Sequence, residues 1–105
     1  MIYCFQGTNF EGGTRGVGFI SGGYLNQTQT NMTSDQLLHI TDWFPTLLSA
    51  AGDDLENVED LDGVDQWDAL NTGAESNRNE IVYNLKIIDM SGSIRVGPYK
   101  LLFHR

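Results

Sequence analysis

Glu11-Gly12-Gly13-Thr14-Arg15-Gly16-Val17-Gly18-Phe19 packs its glycines at positions 12, 13, 16 and 18. Glycine so dense marks a backbone that turns sharply or passes close to something else. The apolar run Val17 to Ile20, closed by Ser21-Gly22-Gly23, reads as a short buried strand. The stretch therefore predicts a tight loop feeding a core strand. A dinucleotide fingerprint needs Gly-x-Gly-x-x-Gly after a strand and before a helix, and a Walker loop needs Gly-Lys-Ser/Thr. Neither spacing is met, so the plain reading is a turn held shut by an Arg15–Glu11 pair.

Downstream of that loop, residues 21–36 are polar and read as a surface loop. It carries two Asn-x-Thr triplets, so Asn26 and Asn31 are candidate N-glycosylation sites. Leu37 to Ile40 predicts a brief strand, followed by a helix from Thr41 or Asp42. Pro45 sets that start, because a proline costs little only in the first turn. Asp42 has the right charge for a helix N-terminus. Phe44, Leu47, Leu48 and Ala51 then form one apolar face at helical spacing, with Gly52 ending the helix. The competing reading is one longer helix, capped by Thr33 and Gln36 and kinked at Pro45. His39 has no partner at convincing ligand spacing and is read as structural.

Asp53, Asp54, Glu56, Glu59, Asp60, Asp62 and Asp65 form an acidic run. An EF-hand register with Gly63 at its sixth position puts Val58 first and Ala69 twelfth, and both fail as ligands. The run is read as a solvated loop. A helical turn is expected after Gly63, with Val64, Trp67 and Leu70 at helical spacing and Trp67 as its anchor. Asn71 to Asn79 reads as a loop, Glu80 to Leu85 as a strand and Asp89 to Gly92 as a turn. Ser93–Val96, Gly97-Pro98 and Tyr99–Phe103 predict a hairpin with a type II′ turn. Ile94, Val96, Tyr99, Leu101 and Phe103 are expected on its buried face, with Arg95 and Lys100 outside.

Four stretches in order carry a resemblance to a known family. They are Glu11 to Phe19, His39-Ile40-Thr41-Asp42-Trp43-Phe44-Pro45-Thr46-Leu47-Leu48, Leu61-Asp62-Gly63-Val64-Asp65-Gln66-Trp67, and Ile94-Arg95-Val96-Gly97-Pro98-Tyr99-Lys100-Leu101-Leu102. Together they resemble the late part of sulfatases, on the arylsulfatase B-like branch. The resemblance runs from about residue 9 to the end. It implies an α/β chain that is part of an alkaline-phosphatase-like sulfatase fold. Residues 1–75 would be the end of the catalytic domain, with its last strand and helix, and 76–105 the start of the small C-terminal antiparallel sheet.

Members of that family hydrolyse sulfate esters with a formylglycine made from Cys-x-Pro/Ser-x-Arg, and with calcium held by acidic residues. Here Cys4-Phe5-Gln6-Gly7-Thr8 lacks both the Pro/Ser and the Arg. The resemblance puts Gln6 where the family has a sulfate-contacting lysine, and a neutral amide cannot make that charge-assisted contact. No residue of this chain is therefore assigned a catalytic, metal-binding or substrate-binding role, and the calcium ligands of the family are expected elsewhere. The expected function is that of a fragment or truncated arylsulfatase relative, inactive alone. The alternative is a small acidic α/β binding module or regulatory decoy of a sulfatase.

Bulk composition bounds the partners. The chain has 105 residues, one domain's worth at most, with 40% hydrophobic residues and a net charge of −8. Nucleic acid and anionic membranes need a basic footprint, so neither is an expected partner. A sulfate ester is an expected substrate only within a longer chain, and self-association through exposed apolar surface is expected for this one. One cysteine, Cys4, allows no intrachain disulfide. The opening residues lack the basic region of a signal peptide. They read as a junction where the family pattern is lost, or else as a first strand, and the stop just after a strand reads as a cut. Lysosomal or secreted localisation is implied for a full-length sulfatase, and is undefined for the chain as it stands.

Overall fold

The computed structural model describes residues 8–26, 31–88 and 90–103. It contains three α-helices, α1 (Glu11–Thr14), α2 (Trp43–Ala50) and α3 (Trp67–Thr72), and three strands, β1 (Glu80–Lys86), β2 (Ser91–Val96) and β3 (Tyr99–Phe103). Two 3-10 turns, Ile40–Asp42 and Leu55–Asn57, flank α2. With its helices and one antiparallel sheet the chain is α/β. It divides into two units, Met1–Ile20 with Glu80–Arg105, and Ser21–Asn79.

The first unit is built on the antiparallel sheet β1-β2-β3. Val96 pairs with Tyr99, so Gly97 and Pro98 alone form the loop between β2 and β3. Gly97 has φ +52°. A positive φ at the first loop position, followed by the fixed negative φ of proline, is the pattern of a type II′ turn, as the sequence predicts. Between β1 and β2 the register shifts from Tyr83 to Lys86, where Asn84 takes φ +46°. Such a bulge bends the strand and ends its regular pairing.

The sheet faces are the reverse of the sequence expectation. The ladder puts Ile81, Arg95 and Lys100 side by side, with Tyr83, Ser93 and Leu102 as the next row. That is the covered face: Ile81 is 5% exposed, Ser93 is buried, and Arg95 and Lys100 are half-buried. The other face carries Val82, Ile94 and Leu101, then Val96 and Tyr99, then Phe103. Tyr99 is 80% exposed there, and Leu101 and Val82 are also exposed. Alternation along a strand fixes which residues share a face but not which face is covered. Here the turn α1 lies over the charged face.

The opening stretch differs in part. Glu11-Gly12-Gly13-Thr14 forms the tight turn as one turn of helix. Val17 to Ile20 is not a strand, and Val17 and Phe19 are fully open to solvent. A continuous apolar run becomes a strand only where a sheet receives it. Among the described residues all ladder pairing is within β1–β3. The expected strand at Met1–Phe5 lies outside the described residues.

In the second unit, residues 37–39 belong to no strand, so the brief strand expected at Leu37–Ile40 is absent. The helix is where Pro45 demands it. The 3-10 turn begins at Ile40, α2 begins at Trp43, and Pro45 stands in its first turn. Gly52, at φ +81°, follows the last turn. The buried stripe, however, is Asp42, Pro45 and Thr46, while Phe44 and Leu47 are exposed by 56% and 57%. Both stripes have helical spacing. They lie two residues out of phase, roughly 200° around the helix, hence on opposite sides.

Helix α3 starts three residues later than the position of Val64 suggested, because the Asp65 carboxylate accepts the Trp67 N–H at 2.8 Å and opens the helix there. Trp67 is only half-buried, and Gln66 and Ala69 take the buried positions instead. Gly63 is where segments 41–45 and 62–66 touch. A β-carbon there would run into the Thr41 carbonyl oxygen and lie 3.1 Å from Pro45 Cδ.

Candidate functional site

Two polar nodes stand out, one in each unit. The first is built on Asp42, whose carboxylate is fully buried. Its Oδ2 accepts the His39 N–H at 2.8 Å and Arg78 Nε at 2.8 Å. Its Oδ1 accepts the Val64 N–H at 2.9 Å and Arg78 Nη2 at 2.6 Å. The Arg78 fork also reaches the Asp62 carbonyl at 3.3 Å. Burial by itself would push the Asp42 carboxyl up, but the Arg78 hydrogen bonds, then those of Val64 and His39, outweigh it and hold it below its ordinary range.

His39 belongs to this node as a cap. Its Nδ1 accepts from the Thr41 N–H at 3.4 Å and lies 2.8 Å from Thr41 Oγ1. That reciprocal cap satisfies amides at the start of the helix. Beside it, Thr46 Oγ1 accepts the Gln66 N–H at 3.0 Å, and Gln66 Oε1 accepts from Ser76 Oγ and the Asn77 N–H. The centre of this unit is therefore polar. Each group ties one loop to another, and the arrangement is structural.

The second node is Glu11. Its Oε1 lies 2.9 Å from Lys100 Nζ and its Oε2 3.3 Å from Arg95 Nη1. Lys100 Nζ also donates to Thr14 Oγ1 at 2.6 Å and stands 4.7 Å from the centre of the Tyr83 ring. The Glu11 carboxyl is lowered, first by the Lys100 hydrogen bond, with Lys100, Arg95 and Arg15 adding electrostatic pull. Tyr83 is pushed up by burial. The pair expected between Arg15 and Glu11 is thus replaced by partners from the hairpin, with Arg15 as a weaker neighbour. A shallow groove lies here, lined by Phe10, Glu11, Arg95, Pro98, Lys100 and Leu102. The Thr14 hydroxyl donates to the Phe10 carbonyl at 3.1 Å while accepting from Lys100. Lys100 acts there as a donor beside a carboxylate, a geometry that positions Thr14 and does not deprotonate it.

The remaining sequence candidates are dispersed. Asn26 and Asn31 are both exposed; the Asn26 N–H donates to Asn71 Oδ1 at 2.7 Å, and Asn31 takes φ +63°. Gln6 and Cys4 lie outside the described residues, as do Gln27 and Thr28 of the first triplet. Among the described residues no three His, Cys, Asp or Glu side chains gather as a metal site. Among those residues, too, no helix is long and apolar enough to cross a membrane. The sequence offered no signal for the Glu11–Lys100 or Asp42–Arg78 partnerships, whose members stand 89 and 36 residues apart.

No family model matches the chain. Over 80 residues, 76% of its length, it is 40% identical to arylsulfatase J of Mus musculus. The matched stretch spans 13% of that protein. The identity falls on a chain whose Glu-Gly-Gly turn and Arg-Val-Gly-Pro-Tyr-Lys hairpin are joined through Glu11, Arg95 and Lys100. Over that stretch the chain is similar to an arylsulfatase, of which it spans only a small part.

Proposed function

We propose that the chain is a scaffold segment of an arylsulfatase-type sulfatase, without hydrolytic activity of its own. The observation that carries this is the 40% identity over 80 residues to a protein of which they make up 13%. In this reading, residues 1–75 end the catalytic domain and 76–105 begin the small C-terminal sheet. The nucleophile and calcium ligands of such an enzyme would come from other parts of the polypeptide. The same reading makes Asn26 and Asn31 glycosylation candidates and the whole protein lysosomal or secreted. The exposed apolar faces add support. Val82, Tyr99 and Leu101 on the sheet, and Phe44 and Leu47 on α2, are open in this chain, and large contiguous apolar patches mark surfaces that meet another body. The isolated chain would self-associate through them.

The test is the native transcript upstream of the Met1 codon. An in-frame extension encoding Cys-x-Pro/Ser-x-Arg is the expected result. A stop codon and a genuine 5′ end would overturn the scaffold reading and leave the acidic binding module or decoy. The purified 105-residue chain, assayed with an aryl sulfate ester and added calcium, is expected to give no turnover above buffer.

A further inference from the structure

We propose that residues 8–14 form a charge-latched strap, which high salt or acid releases from the Arg95–Lys100 face while the three-stranded sheet stays folded. The strap is fastened by polar groups. Glu11 reaches Lys100 at 2.9 Å and Arg95 at 3.3 Å, Thr14 takes a second hydrogen bond from Lys100, and Asn9 Oδ1 accepts from Asn84 Nδ2 at 2.9 Å. No residue of α1 is buried. The sheet beneath is held by its own backbone ladders. The two parts therefore rest on different forces, and one of them is open to screening.

The Glu11 side chain is 47% exposed, so mobile ions reach it. Near 1 M salt the screening length falls to about 3 Å, comparable to the contacts themselves. Acid acts on the same group. The charged and titratable groups facing Glu11 are Lys100, Arg95, Arg15 and Tyr83, and the three cations favour its carboxylate. The folded carboxyl sits below 4.5. The latch is thus intact above that pH and is lost as the pH falls through the folded value. Release uncovers Arg95 and Lys100 in a chain of net charge −8. In the closed state Glu11 is the internal occupant of that cationic spot.

Amide exchange by NMR on the full 105-residue chain tests this. The reporters are the N–H groups of Gly13, Thr14 and Arg15, which donate within the turn at 2.9, 3.1 and 2.7 Å. With rates corrected for intrinsic exchange, their protection is expected to drop several-fold, roughly the worth of two exposed ion pairs, at about 1 M NaCl and again as the pH is lowered through the folded value of Glu11. The β2 and β3 amides should not change. Glu11→Gln at low salt should reproduce the salt effect and abolish further salt dependence, and Lys100→Met, which leaves the Arg95 contact in place, should lower both the protection and its salt dependence in part. Strap protection that ignores salt, or that is lost only together with the sheet, overturns the proposal. The wild-type salt series decides the matter even if either variant misfolds.

Discussion

Arg78 grips Asp42 with two nitrogens of its fork, Nε at 2.8 Å and Nη2 at 2.6 Å, around a carboxylate with no exposed surface. Removing one partner strands the other in a dry site, which costs about 3–5 kcal/mol. Both tryptophans, Trp43 and Trp67, lie in this unit, so their fluorescence reports its unfolding. Asp42→Ala is expected to lower the urea midpoint by that order. A loss below about 1 kcal/mol would mean that Arg78 finds water instead.

The same carboxylate should make this unit acid-labile. Its folded pKa is held below 3.8, so its contribution is complete above that pH and disappears as the pH falls through the folded value. Tryptophan-detected stability is expected to fall with pH below about 4 in the wild type, and Asp42→Asn should flatten that dependence. An unchanged slope in the variant would assign the acid sensitivity to other carboxylates.

Gly63 is required by space. A β-carbon there collides with the Thr41 carbonyl oxygen and crowds Pro45, whereas one at Gly22 meets nothing within 4 Å. Gly63→Ala is expected to destabilise the tryptophan-bearing unit by about 1–3 kcal/mol, the usual cost of overpacking. Gly22→Ala should change it by no more than about 0.5 kcal/mol. Equal melting of the two variants would sink the close-contact explanation.

Thr46→Val separates shape from hydrogen bonding. The two side chains are nearly isosteric, but valine leaves the buried Gln66 N–H, now 3.0 Å from Thr46 Oγ1, without an acceptor. The expected loss is about 1–3 kcal/mol. Thr46→Ser keeps the acceptor and should lose less.

The reversed sheet predicts unequal costs on its two sides. Ile81→Ala removes a side chain that is 5% exposed, and should cost about 2–5 kcal/mol by backbone circular dichroism. Leu101→Ala, on the open face, should cost no more than about 0.5 kcal/mol at concentrations low enough to keep the chain monomeric. The opposite ranking would mean that the apolar face is covered in solution, by another copy or by parts of the chain outside those described.

Local rules made several elements legible without coordinates. Gly97-Pro98 specifies a II′ hairpin, because only glycine takes the positive φ cheaply and proline supplies the next angle. Pro45 specifies a helix start, because only the first turn has no need of its N–H. The period of α2 and the alternation of β2 and β3 could also be read directly. The order of four short motifs carried the resemblance to sulfatases. Phase, in contrast, was decided by packing. Asp42, Pro45 and Thr46 are buried in place of Phe44 and Leu47, and Arg95 and Lys100 are half-buried while Val96 and Leu101 are exposed. Hydrophobic pattern says which face prefers burial, and only the tertiary structure says what lies against it. In this chain charge pairs over 36 and 89 residues of sequence hold the covered faces together, and no local period encodes such a distance.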